Sequence, residues 1–256
     1  MGSRDDLEAI ILEEMTGPDA AASLLQIAPE PLSVAIRERI LAMGPEVVPP
    51  LTRLVRETLR TPGFHVLPTM RAIALLTDLR APEAIDALIE LYAAVRLSKD
   101  FDDLHPRLFH ALLSLREASV EPALRALDAS SDIEAQQSLA SLLANLKIKD
   151  ERIFQALVER VYRDEGHGAL SLMSYGDPRA IPDLQEVLDL MDVPSPPDWF
   201  QGRELECLFE ALEELGAQLT PAQMRKQAKA RRQQEPLEAD FLERAREYLR
   251  RRPGGT

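Results

Sequence analysis

Apolar residues recur along this chain at spacings of three and four, and the recurrence itself repeats. Five segments share one frame: PEVVPPLTRLV from Pro45, PEAIDALIELY from Pro82, ASVEPALRALD from Ala118, ERIFQALVERV from Glu151 and PRAIPDLQEVL from Pro178. Six residues into each frame sits a leucine, at Leu51, Leu88, Leu124, Leu157 and Leu184, with steps of 37, 36, 33 and 27 residues. Around it the frame is apolar at offsets 2, 3 and 9 or 10, as in Val47, Val48, Leu54 and Val55, or Ala180, Ile181, Val187 and Leu188. At about 100° per residue these positions share one helical face. Glu121 interrupts the stripe in the third of the five segments, which is either shifted in register or irregular there. A period of this length predicts an all-α fold, a right-handed α-solenoid of stacked antiparallel helical hairpins. No single hairpin buries its apolar face alone, so neighbours must stack.

Helix starts are well marked. Proline is preorganised for the first helical turn, where its missing N–H costs nothing. Pro18, Pro45, Pro82, Pro178 and Pro221 occupy such places. Asp177 and Thr220 are N-cap residue types, and Thr220 with Gln223 has capping-box spacing. Gly44, Gly166, Gly176 and Gly216 follow apolar periodic segments, where a glycine satisfies the last helical carbonyls. The first helices of the hairpins are then predicted at 5–15, 31–43, 68–79, 104–115, 131–146, 167–175 and 203–215. The second helices fall at 18–28, 45–60, 82–97, 117–128, 150–164, 177–191 and 220–234, with a last helix at 237–251. Gly166-His167-Gly168 reads as a turn. No segment carries sustained strand alternation.

Two loops interrupt the hairpins, at 60–67 and at 192–201. The second, DVPSPPDWFQ, holds three prolines and the only tryptophan, Trp199. Trp199 and Phe200 either fold back over the helices beneath or stand out as an aromatic anchor. The expected organisation is 1–191 as helical repeats, 192–201 as a Pro-rich loop, and 202–256 as a C-terminal repeat with capping helices and a basic tail.

At GDPRAIPDLQEVLDL (176–190) and LRAPEAIDALIELY (79–92) the chain resembles the HEAT-like repeats of bacteria, the type also found in phycobilisome lyases. The likeness covers about 40–216. LANLKIKDERIFQALVERVY and the segment from MSYGDPRAIPDLQEVLD to ALEELGAQLTPAQ are similar to a bacterial subgroup that often ends in a cysteine-rich zinc motif of the SecA C-terminal type. This sequence ends RRRPGGT without those cysteines, so the resemblance implies no zinc role here. The resemblance implies a fold; activity belongs to sites, not folds.

Composition sharpens the picture. Of the 256 residues, 45% are hydrophobic, 29% charged and 5% aromatic, which suits helix-on-helix packing. The single cysteine, Cys207, excludes an internal disulfide framework and, in the apolar run LECLFEAL, reads as a small buried hydrophobe. No apolar run is long enough for a membrane span, the N-terminus lacks a secretory h-region, and Asp6 breaks the myristoylation pattern. A cytoplasmic location is expected. The net charge of −13 is unevenly spread: 221–256 carries ten Lys or Arg against five Asp or Glu, and the remainder 20 against 38. A body that acidic repels phosphate backbones.

Candidate chemistry is sparse. There is no Cys-x-x-Cys, GxGxxG, P-loop or GxSxG. The histidines are His65, His105, His110 and His167. KDFDDLHPRLFH, with Asp100, Asp102 and Asp103 ahead of His105, is the best metal candidate, but its spacing matches no defined ligand pattern. No cofactor is expected. Offset 8 of the frame, pointing away from the core, reads Arg53, Glu90, Ala126, Glu159 and Glu186. That is one base against three acids, the reverse of the basic row a DNA-glycosylase-like HEAT protein would need. The expected function is a non-catalytic scaffold that holds a protein or peptide, favouring a basic one, against its second helices. Its predicted contact residues are Arg53, Arg56, Glu90, Glu159, Arg163, Glu186, Asp189 and Trp199. The alternatives are a lyase-like or glycosylase-like enzyme or subunit, and nucleic-acid binding through MRKQAKARRQQ and ERAREYLRRR at the C-terminal end.

Overall fold

The computed structural model describes residues 4–60, 66–95 and 103–251. These form fourteen α-helices and no strand. They divide into two compact units, Met1–Ile148 and Lys149–Thr256, and the Pro-rich segment 192–198 lies within the second.

Unit 1 holds α1 (Arg4–Glu14), α2 (Pro18–Leu24), α3 (Val34–Leu41), α4 (Val48–Glu57), α5 (Val66–Asp78), α6 (Ile85–Val95), α7 (Leu104–Ser114), α8 (Val120–Ala129) and α9 (Ile133–Asn145). Odd helices pack on odd helices in the order α1, α3, α5, α7, α9, and even on even in the order α2, α4, α6, α8. Helices α4, α6 and α8 also pack on α5, α7 and α9 respectively. Leu51, Leu76, Leu88, Leu108, Leu112 and Leu139 are fully buried between the rows. Each such leucine contributes about 2 kcal/mol of apolar burial.

A short 3₁₀ turn precedes three of the even helices, at Gly44–Val47, Pro82–Ala84 and Arg116–Ser119. The last residue of each turn, Val47, Ala84 and Ser119, is fully buried. Aligning these turns settles the register around Glu121. The segment slips by one residue, so Ser119 and Val120 stand where Val47 and Val48 do, and Ala123 takes the place of Leu51. Glu121 then faces solvent without interrupting the stripe. Arg125, not Ala126, occupies the outward offset.

Unit 2 holds α10 (Glu151–Val161), α11 (Glu165–Tyr175), α12 (Ile181–Leu190), α13 (Trp199–Glu214) and α14 (Pro221–Arg251), with a 3₁₀ turn at Pro178–Ala180. Here α10 packs on α11 and α12, and α13 packs on α11, α12 and α14. The N-capping signals at Thr220 and Asp177 are realised. Thr220 N donates to Gln223 Oε1 at 3.0 Å while Gln223 N donates to Thr220 Oγ1 at 3.2 Å. Asp177 accepts from Arg179 N at 3.1 Å.

In unit 1, α2 stops at Leu24 rather than the expected 28 and α3 starts at Val34 rather than 31; three further corrections lie in unit 2. Gly166, His167 and Gly168 are not a turn but the first turns of α11, capped by Asp164, which accepts from His167 N. Helix α13 begins at Trp199, three residues inside the expected loop, because Asp198 caps it by accepting from Gln201 N at 2.9 Å. And α14 runs unbroken through Pro236 where two helices were expected. Proline there forfeits one backbone bond, but the flanking Arg, Gln, Glu, Leu and Ala residues are strong helix formers and carry the helix across.

Left-handed residues end the odd helices from α3 onward. In unit 1 these are Gly44, Arg80, Arg116 and Lys147, with φ of 60°, 48°, 48° and 57°. In unit 2 they are Gly176 and Gly216, at 72° and 81°. Bonds such as Ala81 N to Leu76 O (3.1 Å) and Ala217 N to Leu212 O (2.8 Å) close the helix ends.

Candidate functional site

The even helices of unit 1 carry the predicted contact residues Arg53, Arg56 and Glu90, and each is paired sideways with the neighbouring even helix. Arg53 on α4 meets Asp19 on α2 at 3.3 Å. Arg56 on α4 meets Glu90 on α6 at 3.8 Å. Asp86 on α6 meets Arg125 on α8 at 2.9 Å. The rung-facing charges therefore alternate by helix: acidic on α2, basic on α4, acidic on α6, basic on α8. All six side chains are well exposed, so each rung is worth well under about 1 kcal/mol and leaves its charges accessible. An open hollow of ≈ 700 Å³ beside Arg53 and Arg56 is also lined by Pro49, Thr52, Arg60 and Glu83.

The other predicted residues lie in unit 2. Glu159 and Arg163 pair with each other at 3.9 Å. The Tyr162 hydroxyl donates to Glu186 Oε2 at 2.8 Å and Asp183 Oδ1 at 3.1 Å. Burial, and then those two carboxylates, push the phenol well above its usual range. Asp189 accepts from Gln223 Nε2 at 3.0 Å. Trp199 is half-buried and stacks on Phe241 with ring centroids 5.6 Å apart, whereas Phe200 stands exposed. The tryptophan thus folds back while its neighbour projects.

A cleft of ≈ 840 Å³ opens in unit 2, lined by Tyr162, Glu165, Leu190, Asp192, Glu204 and Lys229 among others. Leu190 is 73% exposed. Burial raises the Glu204 carboxyl, and Glu165, Asp164 and Asp198 raise it further. The rim is held by Lys226, whose ammonium donates to the carbonyls of Leu188 (2.6 Å), Asp189 (3.2 Å) and Met191 (2.6 Å). A cation belongs there, because the last carbonyls of α12 form the negative end of its dipole. At the opposite end of α12, Arg179 bridges Asp177 (3.0 Å) and Glu151 (2.9 Å) and lies over the Phe154 ring. That guanidinium holds the Asp177 carboxyl below the usual carboxylate range.

The nucleophile and metal candidates are engaged in packing. Cys207 is buried, and burial pushes its thiol up, away from the reactive thiolate. His105 stacks on Tyr92 at 4.7 Å, and His110 meets Phe109 edge-on. His167 Nδ1 lies 3.2 Å from Asp164 Oδ1. His65, Asp100 and Asp102 lie outside the described residues. Among the described residues no three His, Cys, Asp or Glu side chains converge as a metal site, and no helix is long and apolar enough to cross a membrane.

Two buried arginines escaped sequence reasoning. Arg71 donates to the carbonyls of Leu25 (2.6 Å) and Pro29 (3.2 Å). Arg160 sits in the apolar stripe of α10 and pairs with Asp164 at 2.7 Å. The second was signalled: an arginine at a core offset with an aspartate four residues on. Compared with known proteins, the chain matches no protein-family model, and no curated protein is similar to it.

Proposed function

We propose that the protein is a non-catalytic interaction module, its hairpins belonging to a right-handed HEAT-like α-solenoid, and that it binds a basic, amphipathic protein segment. The packing of odd on odd and even on even helices in unit 1, and the left-handed residue that recurs after the odd helices from α3 onward, support the solenoid reading. The observation that carries the functional reading is the open cleft of unit 2. It sets the apolar Leu190 among Glu165, Asp192 and Glu204, a combination that suits alternating Lys or Arg and aliphatic side chains. In unit 1 the rung pairs Asp19–Arg53, Arg56–Glu90 and Asp86–Arg125 neutralise one another, whereas the cleft of unit 2 sets three carboxylates against Lys229 alone, which favours a basic partner there.

The test uses fluorescence anisotropy with a labelled Lys/Leu amphipathic peptide and a Glu/Leu counterpart, at low and high salt. The expected result is binding of the basic peptide alone, weakening at least about ten-fold as salt rises. Leu190→Asp should reduce it further through lost apolar contact. Equal binding of both peptides, or no effect of salt, would overturn the proposal.

A further inference from the structure

Helix α14 has two halves with different environments. From Pro221 to Gln234 it is seated on unit 2: Gln223, Ala230 and Gln234 are buried, and Gln234 Nε2 donates to the Trp199 carbonyl at 3.1 Å. From Glu235 onward every described side chain is exposed, including Phe241 (58%) and Leu242 (52%). Yet the sequence of this half is amphipathic. Apolar residues recur at Leu237, Phe241, Leu242, Ala245, Tyr248 and Leu249, the three-and-four spacing of a helix that packs on another. Trp199 stacks on Phe241 from α13, and the next residue, Phe200, is exposed at 76%.

The charge sequence of this half says what covers it. Residues 235–243 hold four carboxylates, Glu235, Glu238, Asp240 and Glu243, and no base. Residues 244–251 hold four arginines, Arg244, Arg246, Arg250 and Arg251, against the single Glu247. The sign changes between Glu243 and Arg244. A helix of this kind complements itself when two copies run antiparallel: the acidic half of each faces the basic half of the other, and a parallel pairing sets like on like. Nucleic acid would gain from the arginines but be repelled by the carboxylates on the same helix.

We propose that residues 235–251 of α14 form an antiparallel homodimer contact, two-fold symmetric about the Glu243–Arg244 step, with the Phe241 and Leu242 surface at its centre. An isologous contact of this kind closes on itself and yields a dimer rather than a filament. Seventeen residues of helix span about 25 Å, and a contact that short lies at the small end of specific interfaces. The dimer is therefore concentration-dependent.

Sedimentation analysis of the full chain over a concentration series tests this. The wild type should pass from monomer to dimer, with self-association weakening at high salt. Two charge variants follow: Glu238→Arg/Glu243→Arg cancels the net negative charge of 235–243, and Arg246→Glu/Arg250→Glu turns the net charge of 244–251 from positive to negative. Each alone should weaken self-association at least about ten-fold, with circular dichroism reporting retained helix. Mixed in equal amounts they should form a heterodimer. Phe241→Asp should weaken the dimer at all salt concentrations. A wild type that stays monomeric throughout the series would overturn the proposal, as would variants that dimerise like the wild type, or a mixture that fails to associate. A monomeric wild type that binds a single-stranded oligonucleotide through these arginines would overturn it in favour of nucleic-acid binding.

Discussion

Substituting Gly168 by alanine probes the glycine of unit 2 that backbone atoms of a neighbouring helix approach most closely. A Cβ added at Gly168 would lie 2.6 Å from Val161 N and 2.9 Å from Val161 Cβ, and closer still to Val161 Cα. These are largely backbone atoms, which have no rotamer to escape into, so α10 and α11 must separate. Val161, Ala169 and Leu172 around the crossing are fully buried, and a shift there opens voids. Alanine gains about 1 kcal/mol of helix propensity over glycine. Overpacking costs about 1–3 kcal/mol, and contact with backbone places this case at or above the top of that range. The net expectation is a loss of about 2 kcal/mol, which at a slope of about 2 kcal/mol/M lowers the urea midpoint by about 1 M. Trp199 is the only tryptophan and lies in unit 2, so its fluorescence follows this unit. Gly166→Ala is the control. Its nearest neighbour is the flexible Glu204 Cγ at 3.2 Å, so its midpoint should stay within about 0.3 M of wild type. If Gly168→Ala matches or exceeds the wild-type midpoint, the helices do not cross where Gly168 permits it.

Lys226→Met keeps the aliphatic stem but removes the ammonium from three carbonyls at the end of α12. It should cost about 1–2 kcal/mol in the same assay, and an unchanged midpoint would refute the clip. Arg80→Gly relieves a left-handed non-glycine residue and should stabilise unit 1 by about 0.5 kcal/mol; a loss in thermal midpoint would refute it. Asp177→Ala should cost about 1–2 kcal/mol at neutral pH. Because the folded carboxyl is held below its unfolded value, its contribution is complete above the unfolded pKa of about 4. It fades as pH falls through the folded value, so wild type and variant should converge in acid; a gap that persists there counts against the charge assignment. Glu204 has the opposite sign: its folded carboxyl is raised, so its ionisation costs stability as pH rises through that value. Glu204→Gln should raise the thermal midpoint at neutral pH and not at pH 4, and a lowered midpoint at neutral pH would refute the assignment.

Much of the helical layout is legible locally. Proline at helix starts, the Thr220–Gln223 box and the Asp177 cap depend on neighbours within a few residues, and all are realised. The register at Glu121 was not fixed, because Ala123 and Leu124 are adjacent, both apolar and both buried, and only the buried Ser119 reveals the slip. Gly166 and Gly168 read as a turn because glycine disfavours helix interiors; the close passage of Val161 that requires Gly168 is a tertiary fact. Left-handed Arg80, Arg116 and Lys147 carry no glycine to announce them, yet their equivalence to Gly44 follows once the frame is aligned. The candidate surface was legible only as a set of outward residues. That Arg53, Arg56 and Glu90 are joined to the next even helix depends on partners 34 residues away along the chain.

The alternation of sign along α2, α4, α6 and α8 imposes a parity rule on how such a chain can lengthen or shrink. Losing the single hairpin α5–α6 would bring Arg56 of α4 against Arg125 of α8, base upon base. Duplicating one hairpin would likewise juxtapose two helices of equal sign. Gain or loss of two hairpins together restores the match, so viable length variants of this unit should differ by even numbers of hairpins, or carry a compensating charge reversal at the junction.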